Sequence, residues 1–473
     1  MNWLPIAEIV AKVQAGELSA ADLVEQALAA IEEKKEYNAV IATTAERARE
    51  RAAHIDAAVK NGEKIGRLAG VPFIAKDNYL VFGAETTAAS NMLKGFVAPY
   101  QSTVIERLEA EGAICVAKAN LDAFAHGAST ENSDFGVVKN PRDKERVPGG
   151  SSGGSAAAVV LGLVPFALGS DTGGSIRQPA SFTGSVGYKP TYGLTSRSGV
   201  VAMASSTDVM GPLTRTVEDA ALVFDVFAGP DPLDGTTIER DKAGYTDNLD
   251  TELRGKKVGI VKEYMGEGTA AGVKARIEAA IEKLKTAGAE IIEVSLPSIP
   301  LALAVYYIVV PAELSSNLSR HDGQRYEFSY NDGKTLDESY TKSRGIGFGK
   351  EAKRRIMIGT FVLSSGYYDA YYRKAQTVRT KLINEFSQAF EQADFLVGPT
   401  APTTAFKIGE NASDPLQMYL ADVMTVGASL AGIPAVVIPA GESEGLPVGL
   451  QIMAPQRADR ALLGVAKATE ALL

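Results

Sequence analysis

Short apolar runs of β type alternate with amphipathic helical stretches along most of this chain, and such alternation demands a sheet covered by helices on both faces. The runs fall at 71–75, 113–117, 164–168, 257–261, 290–294, 395–397, 435–438 and 448–453. Helical patterns at 103–111, 155–161, 272–287 and 369–392 lie between them. They predict an α/β fold built as an α/β/α layered sheet. Ahead of them, residues 1–65 read as a helical N-terminal layer, with Ser19 and Asp22 marking a helix start before Leu23.

At 473 residues the chain is longer than one ordinary core, since domains run from about 50 to 250 residues. Two lobes, or one large sheet with insertions, would both accommodate it. The polar, turn-rich stretch 229–255 is the best seam, yet β-type runs occur on both sides of it. The organisation expected is therefore one domain: 66–228 and 256–473 share a core, and a helical insertion spans about 297–392.

A net charge of -9 argues against broad contact with phosphate backbones, which usually leaves a basic stripe or patch, so any nucleic acid partner is expected on another subunit. The single cysteine, Cys115, permits no internal disulfide and sits in an apolar run as a small hydrophobe. No basic start precedes an apolar stretch, and no apolar run approaches the roughly 20 residues that span a bilayer. These features lead to the expectation of a cytoplasmic protein without a membrane contact.

Two serine-bearing loops carry the candidate chemistry. Residues 148–155 read Pro-Gly-Gly-Ser-Ser-Gly-Gly-Ser and run into an alanine-rich helix. A Gly/Ser run alone suits a flexible linker, but this one lies inside the α/β pattern, where glycines bring amides close to a ligand. It lacks the Gly-Lys-Ser/Thr ending of a phosphate-binding loop. The second loop, 169–177, follows a strand-like run and places Ser175 after two glycines. Amides of Thr172, Gly173, Gly174 and Ser175 can converge on the oxyanion of a tetrahedral intermediate; an ordinary tight turn is the alternative.

A serine nucleophile needs a base. Only His54, His126 and His321 are available as imidazoles. His54 lies in a charged helical stretch and His321 in a polar loop, both expected in water, and no acidic orienter adjoins His126 in sequence. Lys76 is the other option, directly after the strand-like run 71–75. As a base it must be neutral, and lowering its pKa from about 10.4 to 7 costs about 4.6 kcal/mol, which only a desolvated site imposes. A solvated lysine at a strand end is the alternative.

Taken together, Lys76, the run 148–155 and Gly-Gly-Ser-Ile-Arg-Gln-Pro at 173–179 resemble the amidase signature family, including the 75-residue and 24-residue intervals from Lys76 to Ser151 and from Ser151 to Ser175. The resemblance implies a mixed β-sheet and a Ser-Ser-Lys mechanism. Ser175 would attack the amide carbonyl, with Thr172, Gly173 and Gly174 forming the oxyanion hole. Ser151, in a cis peptide bond, would relay the proton to Lys76, and water would hydrolyse the acyl-enzyme.

Within that family the C-terminal half is similar to the glutaminase subunits of tRNA-dependent amidotransferases. The pieces are Lys353-Arg354-Arg355-Ile356-Met357, the tyrosine-rich 364–372, Asp414-Pro415-Leu416 and 445–451. That likeness implies glutamine as substrate, with Arg355 on its α-carboxylate, Asp422 on its α-ammonium and Tyr306 lining the pocket. It implies B and C partner subunits in a heterotrimer. The B subunit would hold ATP, Mg and most of the tRNA contact and receive ammonia through a tunnel, leaving no cofactor or metal for this chain. The aminoacyl-tRNA would be Glu-tRNA(Gln), Asp-tRNA(Asn) or both. A stand-alone amidase acting on acyl or aryl amides is the competing reading, and a non-enzymatic scaffold a third. Ala123 and His126 depart from the Glu and Met expected in the Asp-x-Phe-Ala-x-Gly stretch.

Overall fold

The computed structural model describes residues 3–247, 249–326 and 328–473. Eleven strands form one mixed sheet: β1 Val40–Thr43, β2 Pro72–Lys76, β3 Ile114–Ala119, β4 Phe166–Asp171, β5 Val186–Lys189, β6 Val209–Thr214, β7 Lys257–Val261, β8 Glu290–Val294, β9 Phe395–Pro399, β10 Ala435–Ser443 and β11 Leu446–Met453. Their spatial order is β1-β3-β2-β4-β6-β5-β10-β11-β9-β7-β8. β2 runs parallel to β3 and β4, and β7 parallel to β8 and β9. Antiparallel pairs join these two groups, with β10 pairing both β5 and β11.

Every residue of β2, β3, β4, β6 and β11 is buried, as strands covered on both faces must be. The layered α/β architecture expected from the alternation is the one found. Three strands escaped the sequence reading. β1 lies inside the N-terminal layer, between the helices Ala20–Glu33 and Ala45–Lys60. β5 and β6 contain glycine, and β6 also proline, residues that ordinarily argue against a central strand. In the first layer the Ser19 side chain accepts from the Asp22 amide, the helix cap anticipated.

Between β8 and β9 the described chain is helical wherever it is regular, with long helices Ala302–Asn317, Lys350–Leu363 and Lys374–Phe390. The first two approach so closely that a Cβ on Gly359 would collide with the Pro311 carbonyl. One expectation is corrected here. The continuous helical segment Ile299–Arg320 is 22 residues long with a mean hydropathy of 1.5, long and apolar enough to span a bilayer by length and composition. Half of its apolar window is buried inside the protein, where Val305, Tyr306, Val309, Val310 and Leu314 pack with Phe386 and Val426 in a second apolar core. Tyrosine, proline and serine interrupt the run, which is why its hydropathy did not register as one apolar block.

Candidate active site

Lys76 is the last residue of β2, and the parallel pairing of that strand with β3 and β4 delivers it to their carboxyl ends, where α/β sheets present ligands. It is fully buried. Its Nζ donates to Ser151 Oγ at 2.8 Å, to Ser152 Oγ at 2.8 Å, to Ser170 Oγ at 3.0 Å and to the Ser170 carbonyl at 3.4 Å. Among the described residues no carboxylate touches it. Lys118, one strand over and equally buried, instead pairs with Asp77 at 2.8 Å. Burial lowers the Lys76 pKa to about 7 against the opposing charges of Asp122, Asp171 and Asp208. A lysine surrounded by hydroxyls rather than carboxylates is one that can exist neutral and accept a proton.

The loop carrying Ser151 is held by close approaches that only glycine permits. Gly149 has φ 82° and the Gly150–Ser151 peptide is cis. A side chain on Gly150 would run into the Asp122 carboxylate and the amides of Ser129 and Thr130. Asp122 in turn accepts from Thr130 N at 2.9 Å and Asn132 N at 3.1 Å, and burial raises its pKa to about 6. The Ser152 amide donates to the Ser175 carbonyl at 3.1 Å, tying the two serine loops together.

The second loop leaves β4 at Asp171 and is pinned by a buried ion pair. Arg177 donates to Asp171 Oδ1 at 2.9 Å and Oδ2 at 3.0 Å, and also to Gln451, Ser429 and the Thr425 carbonyl. Burial would raise the Asp171 pKa, but the Arg177 charge and hydrogen bonds hold it below the usual carboxylate range. Between them, Gly174 has φ 146°, and a Cβ on Gly173 would lie 2.5 Å from the Tyr306 ring. Among the described residues, the amides of Thr172, Gly173, Gly174 and Ser175 meet no acceptor. Ser175 is 7% exposed, and its hydroxyl has no hydrogen-bond partner among the described residues. Lys76 and Ser151 are thus in contact, while Ser175 is anchored beside them through its backbone.

Arg355 lies on the helix Lys350–Leu363 and is 3% exposed. Its Nε donates to Glu351 at 2.8 Å, and its guanidinium packs against the Tyr307 and Tyr419 rings at 5.1 and 5.5 Å. Tyr419 Oη donates to the same Glu351 oxygen at 2.8 Å. Arg355, Glu351, Tyr307 and Tyr419 line a cavity of about 240 Å³ together with Asp122 and Ser129 of the loops around Ser151. Asp422 is 7% exposed, and burial pushes its pKa well above the usual carboxylate range. Its carboxylate has no hydrogen-bond partner among the described residues. A larger cavity, about 630 Å³, opens beside Tyr264 and Phe406 and is lined by none of the nine residues singled out from the sequence.

Ser152, Ser170, Glu351 and Tyr419 were not singled out from the sequence. Ser152 had a signal, as the second of the Ser-Ser pair, whereas Ser170 is one more serine at a strand end. Of the imidazoles, His54 is exposed, and His321 corrects the expectation of a solvated side chain. His321 is 5% exposed against Phe124 and Tyr326, and burial lowers its pKa to about 4. His126 is fully buried beside Phe124, and neither ring nitrogen has a hydrogen-bond partner among the described residues. Among the described residues no group of three His, Cys, Asp or Glu side chains could hold a metal ion.

Comparison with known proteins places this geometry. The amidase family model matches residues 22–463. The A subunit of glutamyl-tRNA(Gln) amidotransferase from Koribacter versatilis is 53% identical over 93% of this chain and 92% of its own length. The protein of the same name from Caldanaerobacter subterraneus is 51% identical over 99% and 96%. Among solved structures, the Thermotoga maritima protein of that name superposes with a TM-score of 0.80 at 40% identity, covering 97% of this chain and 93% of that one. The Stenotrophomonas maltophilia peptide amidase gives 0.83 at 30% identity, over 98% and 96%. A bacterial aryl acylamidase gives 0.87 at 27%, over 99% and 96%.

Proposed function

Because this chain belongs to the amidase family, we propose that it is the glutaminase subunit of a tRNA-dependent amidotransferase, hydrolysing glutamine to supply ammonia for the conversion of Glu-tRNA(Gln) to Gln-tRNA(Gln). Backbone likeness alone does not select this reading, since amidases of other names superpose as well as the T. maritima protein does. The observation that carries it is the identity of 51–53% over nearly the full length to amidotransferase A subunits, against 27–30% to those amidases.

In this reading Ser175 Oγ attacks the γ-amide carbon of glutamine. The amides of Thr172, Gly173 and Gly174, which have no acceptor among the described residues, receive the negative charge that develops on the carbonyl oxygen. The Ser175 proton passes to Ser151 Oγ as the Ser151 proton passes to neutral Lys76 Nζ. On collapse the relay runs backwards and protonates the leaving nitrogen, so ammonia departs and a glutamyl ester remains on Ser175. Water, deprotonated by the same pair, then releases glutamate. Arg355 holds the α-carboxylate with the two guanidinium nitrogens left free by Glu351, Asp422 takes the α-ammonium, and Tyr306 shapes the wall beside Gly173.

The remaining parts of this reading follow from the amidotransferase role. The partners are B and C subunits of a heterotrimer. The B subunit makes most of the tRNA contact and binds ATP and Mg, and the complex works in the cytoplasm where aminoacyl-tRNA is found. The whole chain acts as one amidase domain. Ser175→Ala tests the proposal directly. Ammonia release from glutamine should fall to background in a variant whose thermal unfolding matches the parent, and persistent glutamine hydrolysis would overturn the assignment. A chain purified from its native source without partner subunits, and faster on simple amides than on glutamine, would favour a stand-alone amidase.

A further inference from the structure

We propose that Asp208 is a positioning residue for glutamine hydrolysis: through the Thr172 hydroxyl it fixes the direction of the 172–175 amides that receive the oxyanion. The inference rests on the reading of Ser175 as nucleophile. It starts from strand register. β4 and β6 pair antiparallel, and the last matched residues are Asp171 and Val209. The next pair in that register is Thr172 with Asp208, at the point where the ladder stops and the glycine loop begins.

There the backbone ladder is replaced by side chains. Thr172 Oγ1 donates to Asp208 Oδ1 at 2.7 Å. The other lone pairs of the carboxylate accept from Met203 N at 2.9 Å and from Ala204 N at 3.1 Å. Thr172 is 1% exposed and Asp208 7%, so water does not compete for this bond. The 203–208 turn is itself fastened to the helix Ala302–Asn317, where Glu313 accepts from Ser206 N at 2.9 Å and Asn317 donates to the Met203 carbonyl at 3.0 Å. That same helix sets the Tyr306 ring against Gly173.

The loop needs this anchor because of its composition. Gly173 and Gly174 have no side chains with which to hold their own peptide planes, and among the described residues their amides meet no acceptor. Thr172 is therefore the first residue of the amide run, and the only one before Ser175, with a side chain of its own to be held; further along, the Gly173 carbonyl accepts from Thr425 Oγ1 at 2.6 Å. An oxyanion donor turned away from its target loses most of its effect, and removing one typically costs about 10²–10³ in rate. A clamp that only aims donors should be worth less, about tenfold, and should leave ground-state binding of glutamine alone.

The experiment is steady-state glutaminase kinetics on the full chain with whatever subunits co-purify, for Thr172→Val, Thr172→Ser, Asp208→Asn and Thr172→Val/Asp208→Asn, with Ser175→Ala as control. Thr172→Val and Asp208→Asn should each lower kcat about tenfold with KM within about twofold, since they remove a transition-state contribution only. The double variant should be no slower than the slower single, because both changes break one bond. Thr172→Ser should recover several-fold over Thr172→Val. A parental kcat in Thr172→Val, losses that multiply in the double variant, or an effect confined to KM would each overturn the inference. With Ser175→Ala inactive, those outcomes leave the nucleophile standing. An active Ser175→Ala would remove the reading beneath both.

Discussion

Lys76 Nζ lies 2.8 Å from Ser151 Oγ in a fully buried site, hydrogen-bonded to hydroxyls and a carbonyl and, among the described residues, to no carboxylate. That contact sets the pH behaviour expected of the enzyme. Lys76 serves as base only when neutral, and its pKa stands at about 7. kcat/KM for glutamine should therefore rise as pH increases through about 7 and level off above it. Below about 6, protonation of Asp122 and Asp208 should deepen the loss. A flat profile between pH 5.5 and 8.5, in buffers of constant ionic strength, would contradict the assignment of the base.

The same lowered pKa links to stability with a definite sign. Between about 7 and the unfolded value near 10.4 the unfolded chain binds a proton at this lysine and the folded chain does not, so the Lys76 contribution becomes more favourable as pH rises. A Lys76→Met variant lacks that term. Its unfolding free energy relative to the parent should be most favourable at or below pH 7 and should decline toward pH 10. Denaturant unfolding at several pH values measures it, and a pH-independent difference would mean that Lys76 keeps an ordinary pKa in the fold.

Arg355 is ion-paired through Nε with Glu351, and its other two guanidinium nitrogens have no hydrogen-bond partner among the described residues; it lines a cavity together with Asp122 and Ser129. Arg355→Ala should raise KM for glutamine at least about tenfold, as expected when a charge-assisted bidentate contact is lost, with a smaller change in kcat. With 4-aminobutanamide, which is glutamine without its α-carboxylate, the parent and the variant should perform alike. Equal losses on both substrates would place the arginine in a structural role only.

Gly174 occupies φ 146°, and any side chain there would meet the Thr425 side chain. Gly174→Ala should cost activity by about 10² or more through displacement of the oxyanion amides, and the clash with Thr425 should also lower stability by about 1–3 kcal/mol. Activity within about threefold of the parent would show that the loop carries no such geometric demand.

Arg177 and Asp171 form an ion pair with no exposed surface on either side chain. Removing one partner leaves a buried charge uncompensated, so Arg177→Met should destabilise the fold by about 3–5 kcal/mol. Replacing both, as Asp171→Leu/Arg177→Met, should recover part of that loss while leaving the enzyme inactive, because the loop also relies on Arg177 for its bonds to Ser429 and Gln451. Unfolding midpoints of the two variants decide it.

What could be read from the sequence was what depends on near neighbours. The cap at Ser19, the alternation that builds the layered sheet and the invitation to unusual backbone at the two glycine loops are all local. So is the placement of Lys76 at a strand end. Where local signals conflict, reading fails: β6 holds Gly211 and Pro212 at the middle of the sheet, and only its pairing with β4 and β5 makes it a strand. His321 and the helix Ala302–Asn317 were misjudged for a similar reason, since burial is decided by what packs on a segment.

The sequence by itself determined which residues could do chemistry and at what intervals they recur. Tertiary structure alone decided what state those residues are in. Lys76 can be a base because Ser151, 75 positions away, and Ser170, 94 away, surround it in place of water. The loop around Gly173 holds its shape because Thr425, 252 positions on, donates to the Gly173 carbonyl at 2.6 Å and Arg177 reaches Gln451, 274 positions on, at 2.7 Å. A pKa or an aimed amide is set by the field and contacts at one point in space, and residues far apart in the chain share that point only after the sheet has closed around it.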